Sequence, residues 1–98
     1  MSTIRAMKIE PGKPITIIDM KNKLIAFQLQ VGGYIETVPL SEDSVMIVDE
    51  EGMLKQYQHN DLASYISGVH IYGTALIVGV DGEEFTDCPE QFFVWLGR

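Results

Sequence analysis

The chain has 98 residues, of which 46% are hydrophobic, and its fourteen acidic and seven basic residues give a formal charge of −7. This length accommodates one domain, residues 1–98, and leaves no room for a second core, while the composition excludes a disordered chain. The longest apolar runs are too short to cross a bilayer, and no basic segment precedes an apolar one at the start. We therefore expect a soluble, cytoplasmic protein with no membrane contact.

The acidic residues are unevenly distributed. Residues 1–55 carry eight acids and six bases, whereas residues 56–98 carry six acids and only one base, Arg98. An acidic surface repels phosphate backbones, so we expect no direct binding to nucleic acid. The charge serves either solubility alone or the binding of a basic protein partner.

The first part of the chain predicts a β-hairpin. The stretch STIRAMKIE has the alternation of a strand and is followed by the turn signal Pro11-Gly12. The next stretch, KPITIID, is rich in β-branched residues and predicts a second strand. The two strands are expected to pair across Glu10 to Lys13.

A helix is predicted next. Asp19 is expected to cap its N-terminus, and Gly32 stands where a helix-ending residue in the left-handed region belongs. The predicted apolar stripe has helical spacing and comprises Met20, Leu24, Phe27 and Val31, widened by Ile25 and Leu29.

The stretch VGGYIETVPL marks a change from helical to strand periodicity. Pro39 cannot donate to a ladder, so the predicted strand ends there or lies at a sheet edge. SEDSVMIVDEEGMLKQY then predicts a hairpin, with strands over residues 44–48 and 53–57 and a loop over residues 49–52.

The second half predicts a short helix, a strand and a final helix. In HNDLASYI, Asn60 is the expected cap and Ser67-Gly68 the end. VHIYGTALIVGV, which includes His70, predicts a central strand that ends at Asp81-Gly82. TDCPEQFFVWLGR predicts a helix with Asp87 as its cap.

The last helix is more apolar than one sheet face needs. Phe93 and Trp95 are therefore candidate residues of an oligomer interface, with core packing as the alternative. Together the elements predict an α+β fold: an antiparallel sheet of about five or six strands, with two or three short helices packed on one side.

Catalytic and metal-binding signatures are not found in the sequence. One cysteine, Cys88, excludes an internal disulfide and a cysteine-based metal cluster. An enzymatic hypothesis rests only on His59, Asp61 and Cys88, and no third group that converges with the first two is identifiable. We expect a protein that is not an enzyme, with no catalytic residues, no metal and no cofactor.

Five segments, KIEPGK, VGGYIETVPL, VMIVDEEGMLK, HNDLA and YGTALIVGVDGEEF, occur in the order seen in domain of unknown function 3846. The chain resembles that family over residues 4–85. The resemblance implies a setting in Gram-positive bacteria, their phages or other mobile elements, but no established activity. The family's middle segment commonly reads Asn, Arg, then Ala. Here Asn60 and Ala63 are in place and Asp61 stands where arginine is expected, so any contact of that arginine with an anionic ligand has been lost or changed.

Two functional hypotheses follow, and both place the protein in the cytoplasm of a bacterial or phage-infected host cell. The first is a small non-enzymatic binding protein of phage or mobile-element type that acts by protein–protein contact. One version inhibits a host defence or nucleic-acid-binding factor by presenting acids to its basic groove. The alternative is an oligomer that binds a small ligand or nucleotide, with Tyr34 stacking and Asn60 selecting by hydrogen bond. The candidate ligand- or partner-binding residues are Gly32, Gly33, Tyr34, Glu36, Asn60 and Asp61.

Overall fold

The computed structural model describes residues 2–96. Its strands are β1 (Thr3–Ile9), β2 (Thr16–Lys21), β3 (Ile35–Ser41), β4 (Ser44–Asp49), β5 (Ala75–Asp81) and β6 (Glu84–Thr86), and its helices are α1 (Leu24–Val31), α2 (Asp61–Ser67) and a C-terminal 3₁₀ helix (Glu90–Trp95). The six strands form one antiparallel sheet in the order β2-β1-β5-β4-β3, with β6 also paired to β5. The predicted α+β class is confirmed.

Helices cover both faces of the sheet. Side chains alternate along each central strand, so the apolar residues of these strands form a core on either side. On one side, which we call the α1 face, Leu76 and Val78 of β5 pack with Phe27 and Val31 of α1. The opposite side, the α2 face, carries a second core. That core contains Ile77 of β5, Met46 and Val48 of β4, Ala63 of α2 and Phe92 of the 3₁₀ helix. The expectation that all helices pack on one side was therefore wrong.

The boundary between β2 and α1 differs from the prediction. Asp19 is a strand residue opposite Arg5, and α1 begins only at Leu24, after Lys23, which makes no side-chain capping bond. Strand pairing continues through Met20 and Lys21, so the ladder outweighs the capping preference of an aspartate. The end of the helix agrees with the prediction, since Gly32 has a left-handed φ of 99°.

The predicted return strand over residues 53–57 is wrong, and residues 50–56 form turns. The reason is competition for strand edges. β4 is already paired with β3 on one side and with β5 on the other, so neither of its edges is free for a further strand. β3 lies at the edge of the sheet, as Pro39 predicted.

The second half follows the prediction more closely. Asn60 caps α2, Gly68 ends it with a φ of 80°, and β5 is central and buried on both faces. His70, however, lies in the segment that precedes β5, and the short strand β6 was not predicted. Asp87 does not cap the last helix; its Oδ1 accepts a hydrogen bond from the Arg5 amide at 2.8 Å and so fixes the chain to β1.

Candidate functional site

Asn60 is a structural residue at the junction of α2, β1 and the segment before β5. Its side chain is 1% exposed. The amide Nδ2 donates to the carbonyl oxygens of Ile9 and Gly73, each at 2.9 Å, and Oδ1 accepts from the Ala63 amide at 3.1 Å. Both polar atoms of Asn60 are thus used inside the protein, whereas Tyr34, the other residue of the ligand-binding hypothesis, is 70% exposed.

The glycines of the VGG corner lie against an ion pair between the buried Asp49 and the partly exposed Lys55. Lys55 Nζ lies 2.8 Å from Asp49 Oδ2 and also donates to the Gly32 carbonyl oxygen at 3.2 Å. A Cβ on Gly33 would collide with Lys55 Nζ and would lie 2.9 Å from Asp49 Oδ2. The positions that a Cβ on either glycine would take are therefore already occupied by the side chains of Asp49, Lys55 and Tyr57.

Asp49 remains ionised in this position. Its side chain is 1% exposed, and Oδ1 accepts from the Glu51 amide at 2.8 Å. Burial raises the pKa of Asp49, but the hydrogen bonds from Lys55 and the Glu51 amide, together with the Lys55 charge, outweigh it. The pKa of Asp49 therefore lies below its ordinary value of 3.8.

A cleft of about 550 Å³ opens on the α2 face beside the edge strand β3. We call it the acidic cleft. Its lining is Glu36, Thr37, Val38 and Pro39 of β3, Val48 and Asp49 of β4, Glu50, Gly52 and Met53 of the following turns, and Val69, His70, Ile71 and Tyr72 before β5. Valine and isoleucine side chains supply apolar surface, and the lining holds no lysine or arginine.

Two carboxylates of the acidic cleft carry uncompensated charge. Glu36 and Glu50 are both exposed, and within residues 2–96 neither is part of an ion pair. Asp49 also lines the cleft, but its charge is balanced by Lys55. Of the candidate residues taken from the sequence, Glu36 alone lines this cleft; Glu50 was overlooked because an acidic hairpin tip is an ordinary surface feature.

A polar cluster lies at the start of α2. His59 Nδ1 is 2.6 Å from Asp61 Oδ1, and His59 Nε2 is 3.2 Å from both Ser64 Oγ and His70 Nδ1. The sequence pointed to the first pair. Ser64 and His70 were missed, because His70 is brought beside His59 by the isolated bridge between His59 and Tyr72.

Ser64, His59 and Asp61 are hydrogen-bonded in the same sequence as the serine, histidine and aspartate of an acyl-transfer triad. The serine, however, is part of a structural hydrogen bond. Ser64 Oγ accepts the Ile71 amide at 2.8 Å, so one of its lone pairs holds the chain before β5. Cys88, the third residue of the enzymatic hypothesis, is a core residue instead. It is 4% exposed, and burial raises the pKa of its thiol to about 11. No group of three or more His, Cys, Asp or Glu side chains among residues 2–96 is placed to hold a metal ion.

The candidate interface residues Phe93 and Trp95 are partly buried and pack against the core of the α2 face. Trp95 also meets Tyr65 edge to face, with ring centroids 5.7 Å apart. Their neighbour Val94 is 63% exposed. The C-terminal helix thus uses these two aromatic side chains within the molecule and presents Val94 outward.

Comparison with known proteins gives one match. The family model described as domain of unknown function (DUF3846) matches residues 4–96 and so extends beyond the segment in which the resemblance was seen. No curated protein and no solved structure matches the chain. None of the helices described within residues 2–96 has the length and apolar character needed to cross a membrane. The match covers nearly the whole sequence, and the chain belongs to the DUF3846 family.

Proposed function

We propose that this protein is a small non-enzymatic binding protein that holds a basic, extended segment of another protein in the acidic cleft. One observation carries the proposal: Glu36 and Glu50, which form no ion pair within residues 2–96, stand beside an apolar lining that lacks any lysine or arginine. Carboxylates at the rim of a site attract and orient a basic partner, while apolar surface at its centre supplies affinity.

The free edge of β3 favours binding of the partner segment in an extended conformation. β3 is paired with β4 on one side, and no strand within residues 2–96 pairs with its other side. An extended peptide can add to such an edge through main-chain hydrogen bonds, with alternate side chains directed into the neighbouring cleft. Pro39 lacks an amide proton, so we expect this added pairing to be confined to the part of β3 that precedes it.

The partner class follows from this chemistry. Segments rich in lysine and arginine are common at nucleic-acid-binding surfaces, where the basic residues contact phosphate. Occupation of such a segment by this protein would displace the nucleic acid. We therefore propose a phage or mobile-element protein that inhibits a host nucleic-acid-binding or defence factor in the cytoplasm.

The proposal is tested with a fluorescent peptide of alternating lysine and valine, whose binding is followed by anisotropy. Replacement of both rim carboxylates, Glu36→Gln with Glu50→Gln, is expected to weaken binding about fivefold, since an exposed ion pair contributes about 0.5 kcal/mol. Affinity is also expected to fall as salt rises from 50 to 500 mM, because the Debye length shortens from roughly 14 to 4 Å.

The matched control carries the same charge change elsewhere. Glu83→Gln with Glu84→Gln, at the exposed β5–β6 turn, is expected to leave affinity within about twofold of the wild type. Equal weakening by both double variants would show that net charge alone attracts the peptide. Failure of the wild type to bind the peptide at low salt would likewise refute the proposal.

A further inference from the structure

The main-chain groups of β3 point alternately toward β4 and toward the free edge of the sheet. In an antiparallel pair, opposite residues exchange two main-chain hydrogen bonds at every second position only. The Glu50 amide donates to the Tyr34 carbonyl oxygen at 2.9 Å, and the register of β3 and β4 places these two residues opposite each other. In steps of two from Tyr34, the residues of β3 that bond to β4 are therefore Glu36 and Val38.

Two other observations agree with this register. On the other side of β4, the Val80 amide donates to the Asp43 carbonyl oxygen at 2.8 Å, so the odd-numbered residues of β4 bond to β5 and the even-numbered ones to β3. The odd-numbered residues of β3 consequently point outward, and Pro39, which has no amide proton, is one of them. The amide and carbonyl groups of Ile35 and Thr37 thus lie at the free edge, where no strand within residues 2–96 pairs with them.

The side chains of β3 alternate between the two faces of the sheet. Val38 packs with the core of the α2 face, and Ile35 packs with the core of the α1 face. Glu36, two residues before Val38, therefore lies on the α2 face, where both residues line the acidic cleft. Glu36 is exposed and belongs to no ion pair within residues 2–96. Along its free edge, β3 thus offers an anionic position and, two residues later, an apolar one.

We propose that the partner segment pairs antiparallel with β3 and carries an apolar residue two positions before a lysine or arginine. This inference rests on the proposed function and adds the direction and register of the bound segment. An antiparallel segment runs opposite to β3, so its residue opposite Val38 comes two positions before its residue opposite Glu36. Opposite side chains lie on the same face, which places the apolar residue beside Val38 and the basic residue beside Glu36.

The antiparallel direction continues the pairing of the whole sheet and gives the more stable ladder. The residue between the apolar and the basic residue then stands opposite Thr37 and exchanges both main-chain hydrogen bonds with it. The basic residue occupies a non-hydrogen-bonded position, where opposite side chains are closest. β3 itself contains no lysine or arginine, so the same strand of a second copy does not fit this pattern.

Anisotropy with two fluorescent peptides of equal composition tests the order of the residues. One contains valine-threonine-lysine in a background of serine and threonine, and the other contains lysine-threonine-valine. The first is expected to bind about threefold tighter, because any antiparallel register of the second keeps one matched cross-strand pair but not both. Glu36→Lys is expected to prefer a valine-threonine-glutamate peptide to the lysine peptide. Glu83→Lys, at the exposed β5–β6 turn, carries the same charge change and should keep the wild-type preference.

Methylation of single peptide amides tests the direction of pairing. Methylation of the threonine amide between valine and lysine removes a hydrogen bond to Thr37 and is expected to weaken binding about fivefold. The lysine amide points away from β3 in an antiparallel pair, so its methylation should leave affinity within about twofold of the unmodified peptide. A parallel segment would reverse this pattern, because the residues on either side of the one opposite Thr37 would then make the hydrogen bonds.

The outcomes separate this inference from the proposed function. If the alternating lysine and valine peptide binds through the rim carboxylates but the two ordered peptides bind equally, the register is wrong and the acidic cleft is still a peptide site. Equal effects of the two methylations, or a larger effect at lysine, would also overturn the antiparallel arrangement. A dimer in sedimentation velocity that competes with peptide binding would assign the edge to a second copy instead. If no peptide binds, the proposed function itself is refuted.

Discussion

The substitution Asn60→Ala tests whether the buried amide holds α2, β1 and the segment before β5 together. Alanine removes three hydrogen bonds: two donated to the carbonyl oxygens of Ile9 and Gly73 and one accepted from the Ala63 amide. The site is 1% exposed, so water cannot readily replace the lost partners. The substitution therefore leaves buried backbone groups without their hydrogen bonds.

The expected loss is about 3 kcal/mol of unfolding free energy. Removal of a helix N-cap costs about 1 kcal/mol. Each buried carbonyl that loses its partner costs about 1 kcal/mol at the lower end of the usual range, which applies because a carbonyl has a second lone pair. Domains of this size are stable by about 5–15 kcal/mol, so the change removes a large fraction of the total.

Urea denaturation followed by circular dichroism measures this loss. With a slope of about 1 kcal/mol per molar urea, the midpoint is expected to fall by about 3 M. Asn22→Ala is the matched control, because the Asn22 amide makes one half-buried bond, to the Phe85 carbonyl at 2.8 Å. Its expected cost is about 1 kcal/mol.

Asn60→Asp separates the cap from the two donated bonds. Aspartate keeps an acceptor for the Ala63 amide but places an anion against two carbonyl oxygens, so we expect a loss at least as large as with alanine. A loss below about 1 kcal/mol for Asn60→Ala, or full stability of Asn60→Asp, would refute the role assigned to the donated bonds.

The remaining predictions concern Asp49, Cys88 and Gly32. Because the pKa of Asp49 is lowered, its contribution to stability is complete above pH 3.8 and is lost as the pH falls below that value; the wild-type midpoint should approach that of Asp49→Asn in acid. Cys88 should not react with a thiol reagent at pH 8 unless the protein is unfolded. Because burial raises the pKa of Cys88, its contribution should disappear as the pH rises from 9.0 to about 11, and Cys88→Ala should lack this dependence. Gly32→Ala combines a φ of 99° with a Cβ 2.7 Å from the Tyr57 hydroxyl oxygen and should cost about 1–2 kcal/mol. Gly68→Ala, with a φ of 80° and no neighbour within 4 Å, should cost less, and equal losses in urea denaturation would contradict the steric argument.

The candidate site was only partly predictable. Glu36 was singled out and lies in the acidic cleft, but Asn60, Gly32 and Gly33 proved to have structural tasks. Lys55 was missed, although its ammonium group lies where a Cβ on Gly33 would stand. The two residues are far apart in sequence, and no local pattern indicates that a lysine will fold back over a helix end.

Several features were predicted correctly from the sequence alone. The first hairpin, the left-handed end of α1 at Gly32, the cap of α2 at Asn60 and the central position of β5 each depend on a few adjacent residues or on uniform hydrophobicity. The first three follow from backbone conformational preference and short-range hydrogen bonding, and the last follows from the apolar character of the whole strand.

Only the tertiary structure decided the features that depend on competition between distant segments. β2 continues past Asp19 because β1 offers it a partner, and residues 53–57 form no strand because both edges of β4 are already paired. Likewise, α1 and α2 cover opposite faces, and the α1 stripe predicted as core is half exposed. The local sequence indicates the preference of each segment for helix or strand. It does not indicate which segments pair along the same strand edge or pack on the same apolar face.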